Sequence, residues 1–380
     1  MIYLRLKIDN LYMFDDTFID FTYPKKTTGS SIQGEFLEDY PLINYKRFCV
    51  LMGANASGKT TLGRVLCLLN NFIQGRPISN TEKIIADKAK PACIDVIYVT
   101  PDSGVIHQLI ICFNVENLTY EAYRSQPLRK SKNLSKTLSD LRESVPVFEF
   151  DININEKEDS VIKNPGLSSL SILTGHQLDD GEETVWNYVY SDYQSYSDNL
   201  KHYNLNVLEK IIKVFDNSIA SVTVIDDIEK AYVIKFLNKD AVIVEDGKIS
   251  DDKRLSRGTI ESIEVANFIS LIEQGREGSG TFFLDEKMAY SHTEIEIAML
   301  NLIIEKLSRH SQFFYTTHNY DILEMNLPSH AFIFMKKLEY ISISQPEKMG
   351  YAQNDRSLLG YVKNDVFGTV PDTSNIDDML

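Results

Sequence analysis

The spacing of hydrophobic residues changes along the first part of the chain and predicts strands, a loop and a helix. Residues 2–9 alternate apolar and polar side chains, as in a strand with one buried face, and a second short strand fits Thr17–Tyr23. Residues 24–46 contain Gly, Ser, Pro and charge and predict a long loop. Phe48–Met52 is continuously apolar, as in a central strand buried on both faces, and from Thr60 the apolar residues keep helical spacing.

Two groups of short β-rich segments follow. The first consists of Ile94–Thr100, Val105–Phe113 and Leu118–Ala122, and turn-forming residues 101–104 separate its first two members. The second group covers residues 221–225, 231–237 and 241–246. Both groups predict hairpins or meanders. Between them, residues from about 125 to 218 are polar, tyrosine-rich and mostly helical in pattern.

The last third of the chain alternates strands and helices. We predict a strand at Thr281–Leu284, a helix at Thr293–Ser308, a strand at Gln312–Thr316 and, after a short helix, a strand at Ala331–Met335. This alternation is typical of α/β proteins. The final twenty residues carry Gly, Pro and Asp and are expected to form a loosely held tail.

The composition is that of an ordinary soluble globular protein, with 43% hydrophobic and 24% charged residues. No stretch approaches the roughly eighteen apolar residues that a membrane span needs. The N-terminal residues alternate and lack the apolar segment of a signal peptide. We therefore expect a soluble, cytoplasmic protein without a membrane partner.

The four cysteines, Cys49, Cys67, Cys93 and Cys112, lie in the first third among apolar neighbours. None forms a C-x-x-C pair, so we expect neither a zinc site nor a disulfide framework. Buried free thiols in a reducing compartment are the favoured interpretation.

The formal net charge of −15 argues against a surface that coats nucleic acid, because phosphate binding needs clustered cations. A local exception is the group Arg124, Arg129, Lys130, Lys132 and Lys136. A solvated loop is favoured there over a contact with nucleic acid or an acidic protein, and whether nucleic acid binds stays open.

Residues 53–60 read Gly-Ala-Asn-Ala-Ser-Gly-Lys-Thr and match the phosphate-binding loop G-x-x-x-x-G-K-[ST] at every fixed position. An apolar strand precedes the motif and an amphipathic helix follows it. Backbone N–H groups would converge on phosphates, Lys59 would reach the β- and γ-phosphates, and the Thr60 hydroxyl would coordinate Mg²⁺. The predicted nucleotide-binding residues are Gly53, Asn55, Ala56, Ser57, Gly58, Lys59, Thr60 and Thr61. The alternative is a glycine-rich turn without a ligand.

Two adjacent carboxylates, Asp285 and Glu286, follow the apolar residues Phe282-Phe-Leu. This arrangement suits phosphoryl transfer to water. Asp285 would lie in the coordination shell of the metal, and Glu286 would orient and deprotonate the attacking water. The alternative is a strand that ends in ordinary solvated acids.

Two further segments are candidates for the same chemistry. Another apolar strand ends in His318, 32 residues beyond Glu286, and this histidine is expected to hydrogen-bond the γ-phosphate and report its presence. The segment Leu-Ser-Arg-Gly-Thr at 255–259 precedes a long helical pattern, so Ser256 and Gly258 would offer donors to an anion at a helix N-terminus. The alternatives are a structural histidine and an ordinary helix cap.

Together these motifs resemble those of the ABC-type ATPases, specifically the soluble branch with RecF, the SMC heads and the overcoming-lysogenisation-defect (OLD) proteins. Residues 1–75 and 220–335 carry the resemblance. Asn10–Phe14 resembles the opening Asn-Phe-Arg-Ser-Phe of that branch, Leu255–Thr259 its signature motif, and Tyr315–Asn319 its switch-histidine segment. The resemblance implies an α/β P-loop NTPase of ABC-ATPase type with an antiparallel β subdomain and an inserted, mainly helical lobe.

The resemblance also implies how the chain is organised. Residues 1–124 would form the first half of an ATPase head, 125–218 a helical insert, 219–345 the second half of the head, and 346–380 a tail. In this family the signature of one subunit closes over the ATP held by the P-loop of another. Ser256 and Gly258 would then act in trans, in a homodimer that holds two ATP molecules with Mg²⁺ or in a higher oligomer.

Several positions depart from the family pattern. Lys287 stands where Pro usually follows the Asp-Glu pair, and the loop 288–292 keeps the family's His292 but loses its Gly-Leu. Tyr12 stands where an adenine-contacting Arg or Lys is common. Gln126, after the β meander, is the candidate for the glutamine of the family's Q-loop.

The implied function follows from what the resembling proteins carry. OLD proteins have a nuclease domain after the ATPase, whereas this chain ends about sixty residues past His318. We therefore expect an ATPase-only subunit similar to those of two-gene antiphage systems of the PARIS or abortive-infection type. The resemblance implies an ATP-dependent sensor and scaffold that controls a separate effector, a nuclease or toxin, with a phage protein as trigger.

Two other functions are alternatives. A DNA-repair or recombination ATPase in the manner of RecF would show DNA-stimulated hydrolysis, and the net charge of −15 argues against it. The ATPase subunit of a membrane transporter is less consistent with the Leu-Ser-Arg-Gly-Thr signature and the long insert.

Overall fold

The computed structural model of the chain describes residues 1–23, 32–73, 78–155, 187–191, 204–225, 228, 231–245, 248–274, 280–351 and 358–370. Within these ranges the strands are, in chain order, β1 (Ile2–Asp9), β2 (Thr17–Asp20), β3 (Phe36–Leu37), β4 (Tyr40–Asn44), β5 (Phe48–Met52), β6 (Ala92–Thr100), β7 (Val105–Phe113), β8 (Leu118–Pro127), β9 (Phe148–Asp151), β10 (Asn187–Tyr190), β11 (Ile219–Val224), β12 (Ala231–Phe236), β13 (Ala241–Glu245), β14 (Lys248–Ile249), β15 (Gly280–Asp285), β16 (Gln312–Thr317), β17 (Phe332–Lys337) and β18 (Ile341–Ser344). The α-helices are α1 (Lys59–Ile73), α2 (Thr81–Ile84), α3 (Leu134–Glu143), α4 (Ile152–Asn155), α5 (Leu205–Phe215), α6 (Arg257–Gln274), α7 (Thr293–Lys306) and α8 (Leu358–Lys363).

A mixed six-stranded sheet forms the centre of the molecule, in the order β10-β15-β16-β5-β17-β18. Every neighbouring pair except β17 and β18 is parallel. Its inner strands are buried on both faces, because alternate residues of β5 contact different cores: Phe48 and Val50 pack in one, Cys49 and Leu51 in the other. This explains the continuous apolar pattern from which these strands were predicted.

A second six-stranded sheet, in the order β2-β1-β6-β7-β8-β9, is antiparallel throughout. Its apolar face and one face of the central sheet enclose α1, so that Leu6 and Val96 share a core with Val65 and Phe314. The strand at residues 2–9 and the meander predicted from the sequence are thereby confirmed.

The other face of the central sheet is covered by α5, α6 and α7. Their apolar residues share one core with the strands β11 to β14, which form a four-stranded antiparallel sheet. The second predicted β group corresponds to this sheet, and α6 and α7 confirm the predicted helical patterns. The described residues therefore form an α/β fold with parallel and antiparallel sheets.

One prediction about the cysteines is wrong. Cys93 and Cys112 form a disulfide, whereas Cys49 and Cys67 are buried free thiols as expected. The physical reason is strand register: Cys93 of β6 lies directly opposite Cys112 of β7, with their Cα atoms 4.1 Å apart. Cross-strand neighbours of this kind can bond although no C-x-x-C spacing links them.

Two predicted irregular segments contain ordered structure. The expected loop at 24–46 includes the paired strands β3 and β4. The expected loose tail at 361–380 contains the end of α8, and Phe367 beyond it is buried and stacks on Phe334 with ring centroids 4.1 Å apart. The described residues here pack because Leu358, Val362 and Phe367 add apolar surface to the core that also contains residues of α7.

The proposed helical insert at 125–218 stays a prediction, because nearly half of it, residues 156–186 and 192–203, lies outside the described residues. Its described parts contain the helices α3 and α5, and also the strand β9 of the antiparallel sheet. Asn187–Tyr190 of the same segment is the edge strand β10 of the central sheet. These strands tie the described parts of the segment to the rest of the fold.

Candidate functional site

The predicted site residues converge at one edge of the central sheet because of the order and register of its parallel strands. Asp285 of β15 lies beside Thr316 of β16, and Thr317 of β16 lies beside Met52 of β5. The three segments that follow these strands are therefore neighbours: the loop from Gly53, the turn at Glu286 and the segment at His318. The carboxyl edge of parallel strands is the usual place for ligands in α/β proteins.

The loop from Gly53 to Lys59 turns tightly between β5 and α1. Ala56 and Gly58 both adopt positive φ angles, of 62° and 103°, so the backbone passes twice through the left-handed region. A Cβ at Gly53 would lie 2.2 Å from the carbonyl oxygen of Met335, and one at Gly58 would lie 2.4 Å from Cδ1 of Ile341. Both glycines are therefore required by close contacts with β17 and β18.

Lys59 is the first residue of α1, and its side chain is buried with 3% exposure. Its ammonium group donates to the carbonyl oxygens of Gly53 and Ala54, at 2.9 and 3.2 Å. It also forms an ion pair with Glu286, with 3.0 Å between Nζ and Oε1. A buried ammonium group needs such partners, because removing a charge from water is costly unless it is paired.

Asp285 and Glu286 are held by neighbouring hydroxyl groups. The Thr316 hydroxyl donates to Oδ1 of Asp285 at 2.6 Å and accepts the backbone N–H of Glu286 at 2.9 Å. The Ser191 hydroxyl accepts the backbone N–H of Asp285 at 3.0 Å. One threonine on β16 thus fixes both acids at the end of β15.

Glu286 has a positive φ of 47°, which is uncommon for a residue with a side chain. Such a conformation costs on the order of 1–3 kcal/mol and occurs preferentially at functional sites. The strained turn directs the Glu286 carboxylate toward Lys59. Asp285, one position earlier, is 6% exposed, whereas the Glu286 side chain is 36% exposed.

His318 follows β16 directly and is exposed. Together with Met288, Ser291, Glu296 and Asn319 it lines a cleft of about 410 Å³ beside the turn after Glu286. The predicted histidine therefore lies at the same sheet edge as the P-loop, with its ring open to solvent.

The signature segment forms the N-terminus of α6. The Ser256 hydroxyl accepts the backbone N–H of Thr259 at 3.0 Å and lies 2.7 Å from the Thr259 hydroxyl. The Thr259 hydroxyl in turn donates to Asp216 at 3.0 Å. Ser256 is exposed, and a Cβ at Gly258 would lie 3.3 Å from the Tyr290 carbonyl oxygen. The structure therefore shows a helix cap whose outer side faces solvent.

The signature is joined to the turn after Glu286 rather than to the P-loop. Arg257 donates to the Tyr290 hydroxyl at 3.1 Å, and its guanidinium lies 5.3 Å from the centre of that ring. The backbone N–H of Tyr290 donates to Glu261 at 3.3 Å, and Lys287 pairs with Glu264 at 3.0 Å. Among the described residues, no hydrogen bond or ion pair joins Ser256 or Gly258 to the P-loop.

The residues that depart from the family pattern, or that were matched to it with least support, have structural roles here. Lys287, which stands where the family has Pro, forms an ion pair with Glu264 on α6. Tyr12 is partly buried against the core that contains α1, and burial raises the pKa of its hydroxyl. Gln126 lies in β8, where its amide donates to the Thr137 carbonyl oxygen at 2.9 Å. That bond ties Gln126 to α3 of the antiparallel sheet region.

The residues at the sheet edge fit a nucleoside triphosphate with Mg²⁺. The Ser57 hydroxyl is buried and has no hydrogen-bond partner in the part of the chain that the structure describes. Lys59 supplies a cation, and the left-handed turns at Ala56 and Gly58 suit a backbone nest for an anion. Thr60 and Asp285 carry the oxygen ligands that Mg²⁺ prefers.

Sequence reasoning missed the residues that hold the predicted ones in place, above all Thr316, Ser191 and Asp216. Thr316 could have been found, since pairing the first residues of the two predicted strands, Thr281 and Gln312, places it beside Asp285. Ser191 and Asp216 come from distant segments, and no local pattern indicates them.

Over the described ranges, no helix combines the length and apolar character that crossing a membrane requires.

Comparison with known proteins gives similarities of structure only. No family model matches the chain, and no curated protein matches it. An SMC head bound to the C-winged helix domain of ScpA is 12% identical, with a TM-score of 0.49 over 92% of this chain and 100% of that one. The SMC head domain from Thermotoga maritima is 13% identical, with a TM-score of 0.40 over 91% and 99%. The recombination mediator RecF with bound ATPrS is 10% identical, with a TM-score of 0.40 over 90% and 97%.

Proposed function

We propose that this chain binds Mg·ATP and hydrolyses it to ADP and phosphate. The observation that carries the proposal is the 3.0 Å ion pair between Lys59 of the phosphate-binding loop and Glu286 at the end of β15. Two elements that lie more than two hundred residues apart in the sequence meet at one sheet edge. A phosphate-binding cation and an acid suited to activating water are what hydrolysis of a triphosphate needs.

The roles of the residues follow from their environment. Lys59 and Glu286 neutralise each other in their ion pair. A bound triphosphate would compete for Lys59 and leave the Glu286 carboxylate able to accept a proton from water. Thr316 holds the backbone of Glu286 in the strained turn and orients Asp285. Asp285 and Thr60 would hold Mg²⁺, which neutralises charge on the phosphates when bound. His318 would contact the terminal phosphate.

We further propose that Ser256 and Gly258 act on the nucleotide of a second copy of the chain. The exposed α6 N-terminus offers helix-terminal N–H groups to an anion, and the Ser256 hydroxyl would join them by turning away from the Thr259 hydroxyl. Arg257 next to it adds a positive charge that is also exposed. Since no hydrogen bond or ion pair among the described residues joins this segment to its own P-loop, pairing of two copies would supply the second side of each site.

As the biological role we propose an ATP-dependent sensor and scaffold that holds a separate effector in antiphage defence. The alternative is a DNA-repair role, for which the basic segment would be the contact. There Lys132 and Lys136 both pair with Asp140 and Lys130 lies 4.0 Å from Asp39, in surface ion pairs that a phosphate could replace.

The test uses the full chain with Mg·ATP and measures phosphate release. Hydrolysis by the natural protein and its loss in Glu286→Gln support the proposal, whereas equal rates in both contradict it.

Pull-down of the product of the adjacent gene in ATP, ADP and nucleotide-free states tests the proposed biological role. A complex in one nucleotide state supports the scaffold, and DNA-stimulated hydrolysis without any such complex favours the repair function.

A further inference from the structure

A buried carboxylate lies close to the site, and the roles given above do not use it. Glu296, in the first turn of α7, is 3% exposed. Its Oε1 accepts hydrogen bonds from the Tyr315 hydroxyl at 2.5 Å and the Thr317 hydroxyl at 3.0 Å. Its Oε2 accepts from the Asn319 amide at 2.8 Å. A carboxylate is buried only at considerable cost unless it is hydrogen-bonded, so this network is specific.

The partners of Glu296 lie on both sides of His318. Thr317 precedes the histidine and Asn319 follows it, and the backbone N–H of Asn319 also donates to the Thr317 hydroxyl at 3.0 Å. The Asn319 amide makes a further bond to the Thr293 hydroxyl at 3.1 Å. The residues flanking His318 are therefore fixed while its own side chain is exposed in the cleft.

The position of Glu296 connects this histidine segment with Glu286. Helix α7 begins directly after the loop 287–292, which follows Glu286. A bond between the first turn of α7 and the residues around His318 therefore spans the two segments that flank the cleft. We propose that Glu296 is a positioning residue that fixes His318 relative to the Glu286 turn; its effect on turnover rests on the ATPase function proposed above.

The network suits a carboxylate, which accepts at both oxygens, better than an amide. Tyr315, Thr317 and Asn319 all donate, so Glu296 must accept at both oxygens. The orientation of the Asn319 amide is fixed, because its oxygen accepts the backbone N–H of Asp321 at 3.0 Å. A glutamine at 296 can keep the bond from the Asn319 amide only if its own NH₂ group faces the Tyr315 and Thr317 hydroxyls, which must then turn from donating to accepting.

The test compares Glu296→Gln and Glu296→Ala with a matched control, Glu35→Gln. Glu35 is also 3% exposed and accepts from His330 at 3.0 Å, so its replacement disturbs a comparable buried carboxylate away from the cleft. We expect kcat for ATP to fall about 10- to 100-fold in Glu296→Ala, and less in Glu296→Gln, with unchanged Kd for Mg·ATP. The control should lose stability but keep kcat.

A double variant shows whether the effect passes through His318. If Glu296 acts by positioning His318, Glu296→Ala combined with His318→Ala should be no slower than His318→Ala alone. Additive losses, or a Glu296→Ala variant with the natural kcat, would overturn the proposal.

A second readout does not depend on hydrolysis. NMR of histidine-labelled protein, with the His318 signal assigned by His318→Gln, should show that signal displaced in Glu296→Gln and unmoved in Glu35→Gln. An unmoved His318 signal in Glu296→Gln overturns the proposal. A displaced signal in a protein that hydrolyses no ATP supports the positioning of His318 and rejects the proposed ATPase function.

Discussion

Two helices of the molecule begin with Ser and Gly residues, and their surroundings differ. At the start of α1, Lys59 is buried and meets a carboxylate from another strand, so its charge is balanced within one chain. At the start of α6, Ser256 and Arg257 are exposed, and the hydroxyl is used in the helix cap. The register of the parallel strands assembles the site at the start of α1 within one chain. The start of α6 faces solvent instead, and for this reason we propose that it completes the site of another copy.

The largest expected effect is a loss of ATP hydrolysis on changing Glu286, the partner of Lys59 at the start of α1. Glu286→Gln removes the base and the negative partner of Lys59 while keeping the shape of the side chain. We expect kcat to fall by about 10²–10⁴-fold with ATP still bound. Light scattering after size exclusion with ATP should show at least a doubled mass for this variant.

The control for Glu286→Gln is Glu324→Gln, which changes an exposed carboxylate in the turn after His318. It should hydrolyse ATP at the natural rate. A Glu286→Gln variant that keeps the mass of a single chain in ATP would contradict closure around the nucleotide by two copies.

The next largest effect is a loss of hydrolysis on changing Ser256 at the exposed N-terminus of α6. Ser256→Arg adds bulk at the outer side of the α6 N-terminus, so hydrolysis should fall about 100-fold while Kd for ATP stays near that of the natural protein. Ser256→Ala is the matched control, since it loses the cap at a cost of about 1 kcal/mol but adds no bulk. Equal loss of hydrolysis in both variants would show that the cap alone matters; loss of ATP binding in Ser256→Arg would mean that the two ends act within one chain.

A smaller effect separates close packing from backbone strain in the phosphate-binding loop. Gly58 and Gly350 both have positive φ, of 103° and 90°, but a Cβ would meet Ile341 at 2.4 Å in the first and nothing within 4 Å in the second. Gly350→Ala should cost about 1 kcal/mol of unfolding free energy, from strain alone. Gly58→Ala should cost about 1–3 kcal/mol more, because the packed neighbour must move. Denaturant melts measure both, and equal losses would contradict the close contact.

The smallest effect is a pH dependence at the α6 end. Burial raises the pKa of Glu261 from the ordinary 4.5 to about 7, with Glu264 adding to the rise while the Tyr290 N–H and Lys287 oppose it. The pKa of Glu261 is higher in the folded protein than in the unfolded chain. Ionisation of Glu261 therefore lowers the free energy of unfolding of the natural protein as pH rises from about 4.5 to 7. Glu261→Gln should therefore show the same melting temperature below pH 4.5 and a higher one above pH 7. A difference that does not change with pH would contradict the raised pKa.

Much of the fold follows from local patterns. The continuous apolar run at Phe48–Met52 predicted a central strand, because burial on both faces demands such a run, and the apolar residues before Asp285 predicted another strand. The helix after Lys59 was also predicted, since it keeps one apolar face toward a core. The long helix after Ser256 was predicted from its apolar spacing, and its residues 265–270 are buried on all sides.

Other features depend on pairing between distant segments and were not predicted. The disulfide could have been found by counting outward from the turn at 101–104: Thr100 lies opposite Val105, so Cys93 lies opposite Cys112. Nothing local shows that Asn187–Tyr190 joins the central sheet, because a four-residue edge strand carries too little pattern. The hydroxyl of Thr316 acquires its role only through its neighbours on β15.

The most direct test of the central claim is calorimetric titration of the full chain with ATP, with and without Mg²⁺, beside the variant Lys59→Ala. Lys59 is the buried cation at the phosphate-binding loop, so its removal should weaken binding by about 100-fold, or roughly 3 kcal/mol. We predict saturable binding of Mg·ATP by the natural protein and its near-loss in the variant. Equal binding by both proteins, or binding by neither, would contradict the claim that this loop holds a triphosphate.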